Sequence, residues 1–280
     1  SHRHQQEFQS TYPQPLAEVR VGKVQRLITN EKELDRVLGG GVVPGSLMLL
    51  GGEPGIGKST LMLQVAFLVS ASGQKVLYVS GEESPEQVRM RASRIGNVPP
   101  DLMILPETRV PNILSVLESD EYSILIVDSV QTLDHPDIDG VPGSVSQIRE
   151  SVASITSHVK SRNLPVFLVG HITKEGSIAG PKVLEHMVDV VLQFEGDRNH
   201  AYRMIRATKN RFGTTAELGI YEMIVEGLKS EPVLDINELK SIGFSEKIKI
   251  GGTIPVLLEK IEDKNGEVLV SASKAQKIKG

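Results

Sequence analysis

Cysteine is absent from this chain of 280 residues. Disulfides and thiolate metal sites are therefore excluded, and any bound metal must use oxygen or imidazole ligands. Long apolar runs are absent as well. None comes near the roughly 20 residues that span a bilayer, and the opening Ser1-His-Arg-His-Gln-Gln-Glu7 carries no apolar signal segment. Together these read as a cytoplasmic location with no membrane partner. An excess of positive charge is the third thing missing. The formal net charge is −4, so no overall basic field draws the chain to nucleic acid, and any such contact must rest on a local patch. His2 and His4 stand two apart in a polar terminus, a poor basis for a metal site. What is present, 39% hydrophobic and 24% charged residues, suits a soluble globular protein with one large domain or two small ones.

The most informative residues are Gly52-Glu53-Pro54-Gly55-Ile56-Gly57-Lys58-Ser59, followed by Thr60. They follow the G-x-x-x-x-G-K-[ST] pattern of a phosphate-binding loop. The flanks have the required order, with an apolar run at Ser46 to Leu50 suited to a buried strand and a stretch of helical length from Ser59 to Val69. Glycines let the backbone approach phosphate, and the helix start adds a positive dipole end. Lys58 is placed to reach the β and γ oxygens and Ser59 to ligate Mg²⁺. The expected ligand is a nucleoside triphosphate.

Between about residues 45 and 225, β-type apolar runs alternate with amphipathic stretches, the pattern of an α/β fold whose mostly parallel sheet carries helices on both faces. Strands are expected at Leu47 to Leu50, Lys75 to Ser80, Ile124 to Asp128, Val166 to Gly170, Val188 to Phe194, Tyr202 to Thr208 and Leu218 to Met223. The close spacing of the last three points to an antiparallel edge. Helices are expected at Ser59 to Ser72, Ser84 to Ile95, Val110 to Glu118 and Gly143 to Ser161. Residues 1–28 read as an extended arm, 29–228 as the core, and 229–280 as a short β-rich tail with strands at Ile248 to Ile250 and Glu267 to Val270 around the turn Asp263 to Gly266.

A nucleotide hydrolase also needs an acid beside the metal and a group that orients water. The run Ser123-Ile-Leu-Ile-Val-Asp128 ends an apolar strand in a carboxylate, which places Asp128 beside Mg²⁺; its alternative is an acid that caps the next loop. Glu82 and Glu83 follow another strand. Glu82 is the expected base and Glu83 a supporting group, the alternative being two acids that favour the helix starting at Ser84-Pro85. His171, after the strand ending Val169-Gly170, is a candidate sensor of the γ-phosphate or a locally bonded loop histidine.

Six segments together resemble one family, the bacterial RadA (Sms) DNA-repair ATPases of the RecA-like superfamily. They are Leu34 to Gly41, Gly52 to Ser59, Ser80 to Ser84, Ile126 to Gln131, Gly170 to Gly176 and Lys209-Asn-Arg-Phe-Gly213. The resemblance covers roughly residues 18 to 228, and its core is similar to KaiC and to DnaB-type helicases. It implies a RecA-like core that uses ATP and Mg²⁺ and a homo-oligomeric ring, usually a hexamer, around single-stranded or branched DNA. Branch migration beside a RecA-type recombinase is the implied activity. Lys209 and Arg211, two apart on a strand and so on one side, are implied as cations given to a neighbour's phosphates, the alternative being a solvated basic strand end. The implied DNA-facing loops are about Asp134 to Ser146 and Thr173 to Glu185, with Lys174 and Lys182 as phosphate contacts. Arg89, Arg91 and Arg94 read as a solvated face or an intersubunit salt bridge. The four-cysteine zinc module and Lon-like domain usual in the family have no counterpart in these residues, and Phe244 to Ala275 resembles part of an S1-type repeat. The competing expectation is a KaiC-like ATP-dependent scaffold that does not move along DNA.

Overall fold

In a computed structural model, side chains and backbone are described for residues 25–171, 183–196, 202–224 and 227–228, and the backbone alone for 229, 257–260 and 269–271. Six parallel strands form the centre: β1 (Leu47–Gly52), β2 (Val76–Ser80), β3 (Leu102–Leu105), β4 (Ile124–Asp128), β5 (Val166–His171) and β6 (Val190–Glu195). Their order is β3-β2-β4-β5-β1-β6. The sheet continues through β7 (Tyr202–Asn210), β8 (Leu218–Ile224) and β9 (Gly227–Lys229), which run antiparallel as the short spacings required. The fold is thus the α/β sheet that the alternation called for.

Strand periodicity divides the core in two. Met48, Leu50, Val76, Tyr78, Ile124, Ile126, Phe167 and Val169 face one side and pack against α1 (Lys32–Val37), α2 (Lys58–Ala71) and α3 (Pro85–Ile95). Their neighbours Leu47, Leu49, Leu77, Val79, Leu125, Val127, Val166 and Leu168 face the other, under α4 (Val110–Ser119) and α5 (Val145–Lys160). Burial on both faces explains why β1, β2, β4 and β5 read as near-continuous apolar runs. Each fully buried aliphatic side chain contributes about 1.5–3 kcal/mol.

Among the elements that were not expected are β3 and α1. The strand β3 has four residues and is only partly buried at the sheet edge, and α1 has six residues. Both are too short for periodicity to identify. At the other end of α1 the chain joins the core through Leu27, which exchanges two backbone hydrogen bonds of 2.8 Å with Val42. In the tail, β10 (Leu257–Lys260) pairs with β11 (Leu269–Ser271). The expected strand at 248–250 and turn at 263–266 lie outside the described residues, as does most of the arm. No helix among the described residues is long and apolar enough to cross a membrane.

Candidate functional site

Parallel register brings four loops to one edge. Ser80 pairs with Asp128, Asp128 with Val169, and Gly52 with both His171 and Phe194. The carboxyl ends of β1, β2, β4 and β5 therefore lie side by side, where ligands sit in open α/β sheets.

The loop from β1 turns through Gly55 at φ 77° and Gly57 at φ 113°, backbone states open to glycine and costly to other residues. Gly52 is needed for a different reason: a Cβ there would sit 2.4 Å from the Phe194 carbonyl oxygen. The loop leads into α2, whose first residues are Lys58, Ser59 and Thr60. Lys58 is buried, and its Nζ donates to the carbonyls of Gly52 and Glu53 at 2.8 Å each. Glycine conformations, a helix start and a lysine folded onto its own loop fit a polyphosphate. From β7, the buried Arg203 donates through Nε to the Ile56 carbonyl at 3.0 Å and so braces the loop. No local sequence signal marks Arg203, because its partner lies 147 residues away.

Glu82 occupies the centre of the neighbouring loops. Its Oε1 accepts from Ser129 Oγ at 2.8 Å and lies 3.6 Å from His171 Nε2. Its side chain is 53% exposed, which leaves room for water beside it. Gly81 brings this loop close, since a Cβ there would overlap Thr132 Oγ1 at 1.9 Å. Asp128 Oδ2 accepts from the Tyr78 hydroxyl at 2.6 Å. Burial first, and then the Asp128 charge, push the Tyr78 hydroxyl well above its ordinary pKa, so it stays a donor that orients the carboxylate. Gln131 Nε2 reaches the His171 carbonyl at 3.4 Å.

Glu83 points elsewhere. It pairs with Arg91 at 2.6 Å, while its backbone exchanges hydrogen bonds with Ser80 Oγ. Arg91 thus serves a contact within the chain, and its Nη2 also lies 3.4 Å from Thr60 Oγ1.

Lys209 and Arg211 stand at the opposite end of the sheet. Lys209 is in register with Val191, which pairs with Leu49, three residues before Gly52 and about 10 Å along the strand. Arg211 is further away. Its backbone N–H bonds the Asp189 carbonyl, and the Asp189 N–H bonds the Leu47 carbonyl, about 16 Å along the strand from Gly52. Both cations face the same segment. Lys209 Nζ donates to the Glu185 and Val188 carbonyls at 2.7 Å each, and Arg211 Nη1 pairs with Asp189 Oδ1 at 3.0 Å. Asp189 is buried, and its second oxygen accepts from the Leu47 N–H at 3.0 Å. Sequence reasoning missed Asp189, although its place before a strand was a usable signal.

The loop Asp134 to Ser146 is pinned by the buried Gln147, whose Oε1 accepts from the His135 N–H at 2.8 Å and whose Nε2 donates to the Ile138 carbonyl at 2.6 Å. Lys174 and Lys182 lie outside the described residues.

Comparisons with known proteins bear on the family and the fold. A family model described as an AAA domain matches residues 13–177. The chain is 50% identical over 252 residues to DNA repair protein RadA of Bacillus subtilis (strain 168), covering 88% of this chain and 55% of that protein. It is 49% identical over 256 residues to DNA repair protein RadA of Streptococcus pneumoniae (strain ATCC BAA-255 / R6), covering 90% and 61%. It spans little more than half the length of these curated relatives. Among solved structures, the RadB recombinase superposes with a TM-score of 0.56 at 21% identity, over 73% of this chain and 99% of that one. The ATPase domain of G40P superposes with a TM-score of 0.62 at 14% identity, over 74% and 92%. At these identities the likeness establishes the RecA-like P-loop fold.

Proposed function

This chain belongs to the AAA-domain family, and from that membership and the placement of its charged side chains we propose that it is a DNA-dependent ATPase of the RadA type, working as a ring of identical subunits. The observation that carries the proposal is the separation of Lys209 and Arg211 from the chain's own phosphate loop. An arginine side chain does not cross about 16 Å of strand, so Arg211 is out of reach of its own chain's phosphate loop and is placed to serve a neighbour's nucleotide. One subunit then offers the loop from Gly52 to Thr60 and the next offers Lys209 and Arg211.

In this reading Lys58 leaves the two carbonyls it holds and meets the β and γ oxygens of ATP, while the amides at the start of α2 cradle the phosphates. Ser59 and Asp128 are the residues that would hold Mg²⁺, which neutralises charge on the phosphates; Tyr78 keeps Asp128 in place. Glu82, turned by Ser129, orients the attacking water and takes its proton. His171 touches the same carboxylate and begins the segment carrying Lys174 and Lys182. A change at the phosphate thereby reaches the residues assigned to DNA. Glu83 holds α3 through Arg91 and takes no proton. The ring is taken as a hexamer, its work as branch migration of recombination intermediates during DNA repair, and its partner as a RecA-type recombinase. The support for these is the similarity to DNA repair proteins RadA.

The KaiC-like scaffold remains the second reading on one observation. The loop from Asp134 to Ser146 carries Asp134, Asp137 and Asp139 and is held down by Gln147, which suits a weak grip on phosphate. ATP hydrolysis with and without single-stranded DNA at fixed low salt separates the two. A several-fold stimulation is expected; robust turnover indifferent to DNA would replace the motor with the scaffold.

A further inference from the structure

Arg26 lies outside every motif considered above, yet its guanidinium joins the turn after α1 to Phe212, which is 186 residues from Arg26 in the sequence. Nη1 donates to the carbonyls of Leu38 at 3.0 Å and Gly41 at 2.9 Å, and Nη2 donates to the carbonyl of Phe212 at 2.8 Å. Leu38 caps the carboxyl end of α1, and the turn after it runs through Gly39, Gly40 and Gly41 at φ 82°, 101° and 112°. These left-handed conformations turn the peptide carbonyls toward Arg26, and the Asp35 carbonyl fixes the turn by accepting from the N–H groups of Gly40 and Gly41. Phe212 sits between Arg211 and Gly213. A Cβ built on Gly39 would touch the Gly213 Cα at 3.9 Å, so the two turns lie against each other. The base of Arg26 is fixed as well, because Leu27 is paired to Val42.

We infer that Arg26 is the positioning residue for the Lys209 to Gly213 segment, fixing on the α1 turn the loop that presents Arg211 to the neighbouring subunit; this rests on the interfacial role proposed for Arg211. The arrangement explains the proximity of Leu34 to Gly41 and Lys209 to Gly213 in chemical terms: one supplies an array of carbonyls, the other the loop to be held, and a planar fork bridges them. A lysine offers a single nitrogen in place of the fork and cannot span all three carbonyls equally. Displacing a catalytic cation by about 1 Å costs on the order of 10²-fold in rate. Phosphate binding is unaffected, because Lys58 and Ile56 are held by other groups.

The test uses the full chain. Arg26→Met is expected to lower the turnover of ATP by about 10- to 100-fold with the Kd for a fluorescent ATP analogue unchanged, and Arg26→Lys to fall between the two. Arg26→Met is then mixed with Lys58→Ala, which lacks a working phosphate loop but keeps its own Arg211. Turnover above that of either protein alone is expected, since the Lys58→Ala subunit supplies a well-placed Arg211 to the intact loop of its neighbour. The control is Arg211→Ala mixed with Lys58→Ala. Recovery in the control without recovery for Arg26→Met overturns the role of Arg26 alone, as does unchanged turnover of Arg26→Met or a parallel loss of nucleotide affinity. Failure of the control overturns the interfacial reading of Arg211, and the inference about Arg26 with it.

Discussion

At the carboxyl ends of β1, β2, β4 and β5 the charged groups of four loops converge on one edge. Lys58 rests on carbonyls of its own loop, Glu82 is half exposed between Ser129 and His171, and Asp128 accepts from the hydroxyl of Tyr78. At the amino ends of the same sheet, Lys209 is tied to two carbonyls and Arg211 to a buried carboxylate that is itself bonded to β1. The contrast follows from what each end is proposed to do. Groups that bind one nucleotide must converge on it, whereas cations offered to another subunit stand apart from their own chain's nucleotide and are held on other partners until that subunit is engaged.

The largest expected effect tests the first end. Lys58→Ala removes the cation from the phosphate loop, and ATP turnover is expected to fall below detection with nucleotide affinity strongly reduced, as measured by steady-state hydrolysis and by titration of a fluorescent ATP analogue. Normal turnover would mean that this edge is not the nucleotide site. The next effect belongs to the other end. Arg211→Ala is expected to reduce turnover by about 10³-fold or more, the range of an arginine supplied to phosphoryl transfer, while the nucleotide still binds. If binding and turnover fell together, Arg211 would instead be a prop for Asp189 and β1, and the two ends would no longer differ in kind.

A third change sharpens the comparison within one edge. Glu82→Gln preserves the shape and the hydrogen bond from Ser129 but removes the base, so a loss of about 10²- to 10⁴-fold in kcat is expected with little change in KM. The matching change Glu83→Gln is expected to leave kcat within a few-fold, because Glu83 is spent on Arg91. Reversal of that order would move the base to Glu83.

What the sequence made legible divides along the same line. The phosphate loop, Glu82, Asp128 and His171 each follow a buried strand directly, so local pattern and strand order were enough to set them on one edge. The parallel sheet was legible for the same reason, since residues buried on both faces leave long apolar runs. Arg203, Asp189 and Arg26 were not, because each acts on a partner brought near by the fold: the Ile56 carbonyl, the N–H of Leu47 and the carbonyl of Phe212. The pairing of Glu83 with Arg91 was invisible for a different reason. Two adjacent acids look alike in sequence, and only the direction of α3, set by the capping box of Ser84 and Gln87, separates them.

The smallest effect concerns a carboxylate that shares the first edge and takes no part in its chemistry. Glu107 follows β3 and serves α4, its Oε1 accepting from the N–H groups of Thr108 at 2.8 Å and Arg109 at 2.9 Å and its Oε2 from Asn112 Nδ2 at 2.6 Å. The backbone N–H of Arg109 first, and then Asn112, hold its carboxyl below the ordinary glutamate value of 4.5. A pKa lowered by folding means that the folded chain binds the proton less readily than the unfolded one. The stabilisation is therefore present above the unfolded value and is lost as pH falls through the folded one. Solvent screening limits it to a few tenths of a kcal/mol. Glu107→Gln, which sets an amide N–H against the Asn112 donor, is expected to lower Tm by about 1 °C at neutral pH. That difference should shrink as pH falls through the lowered folded value and the native carboxyl also gains a proton. Full ATP turnover is expected throughout at neutral pH, which would separate an acid that holds the turn into α4 from Glu82, placed on the same edge by β2; a loss of turnover without a loss of Tm would erase that separation.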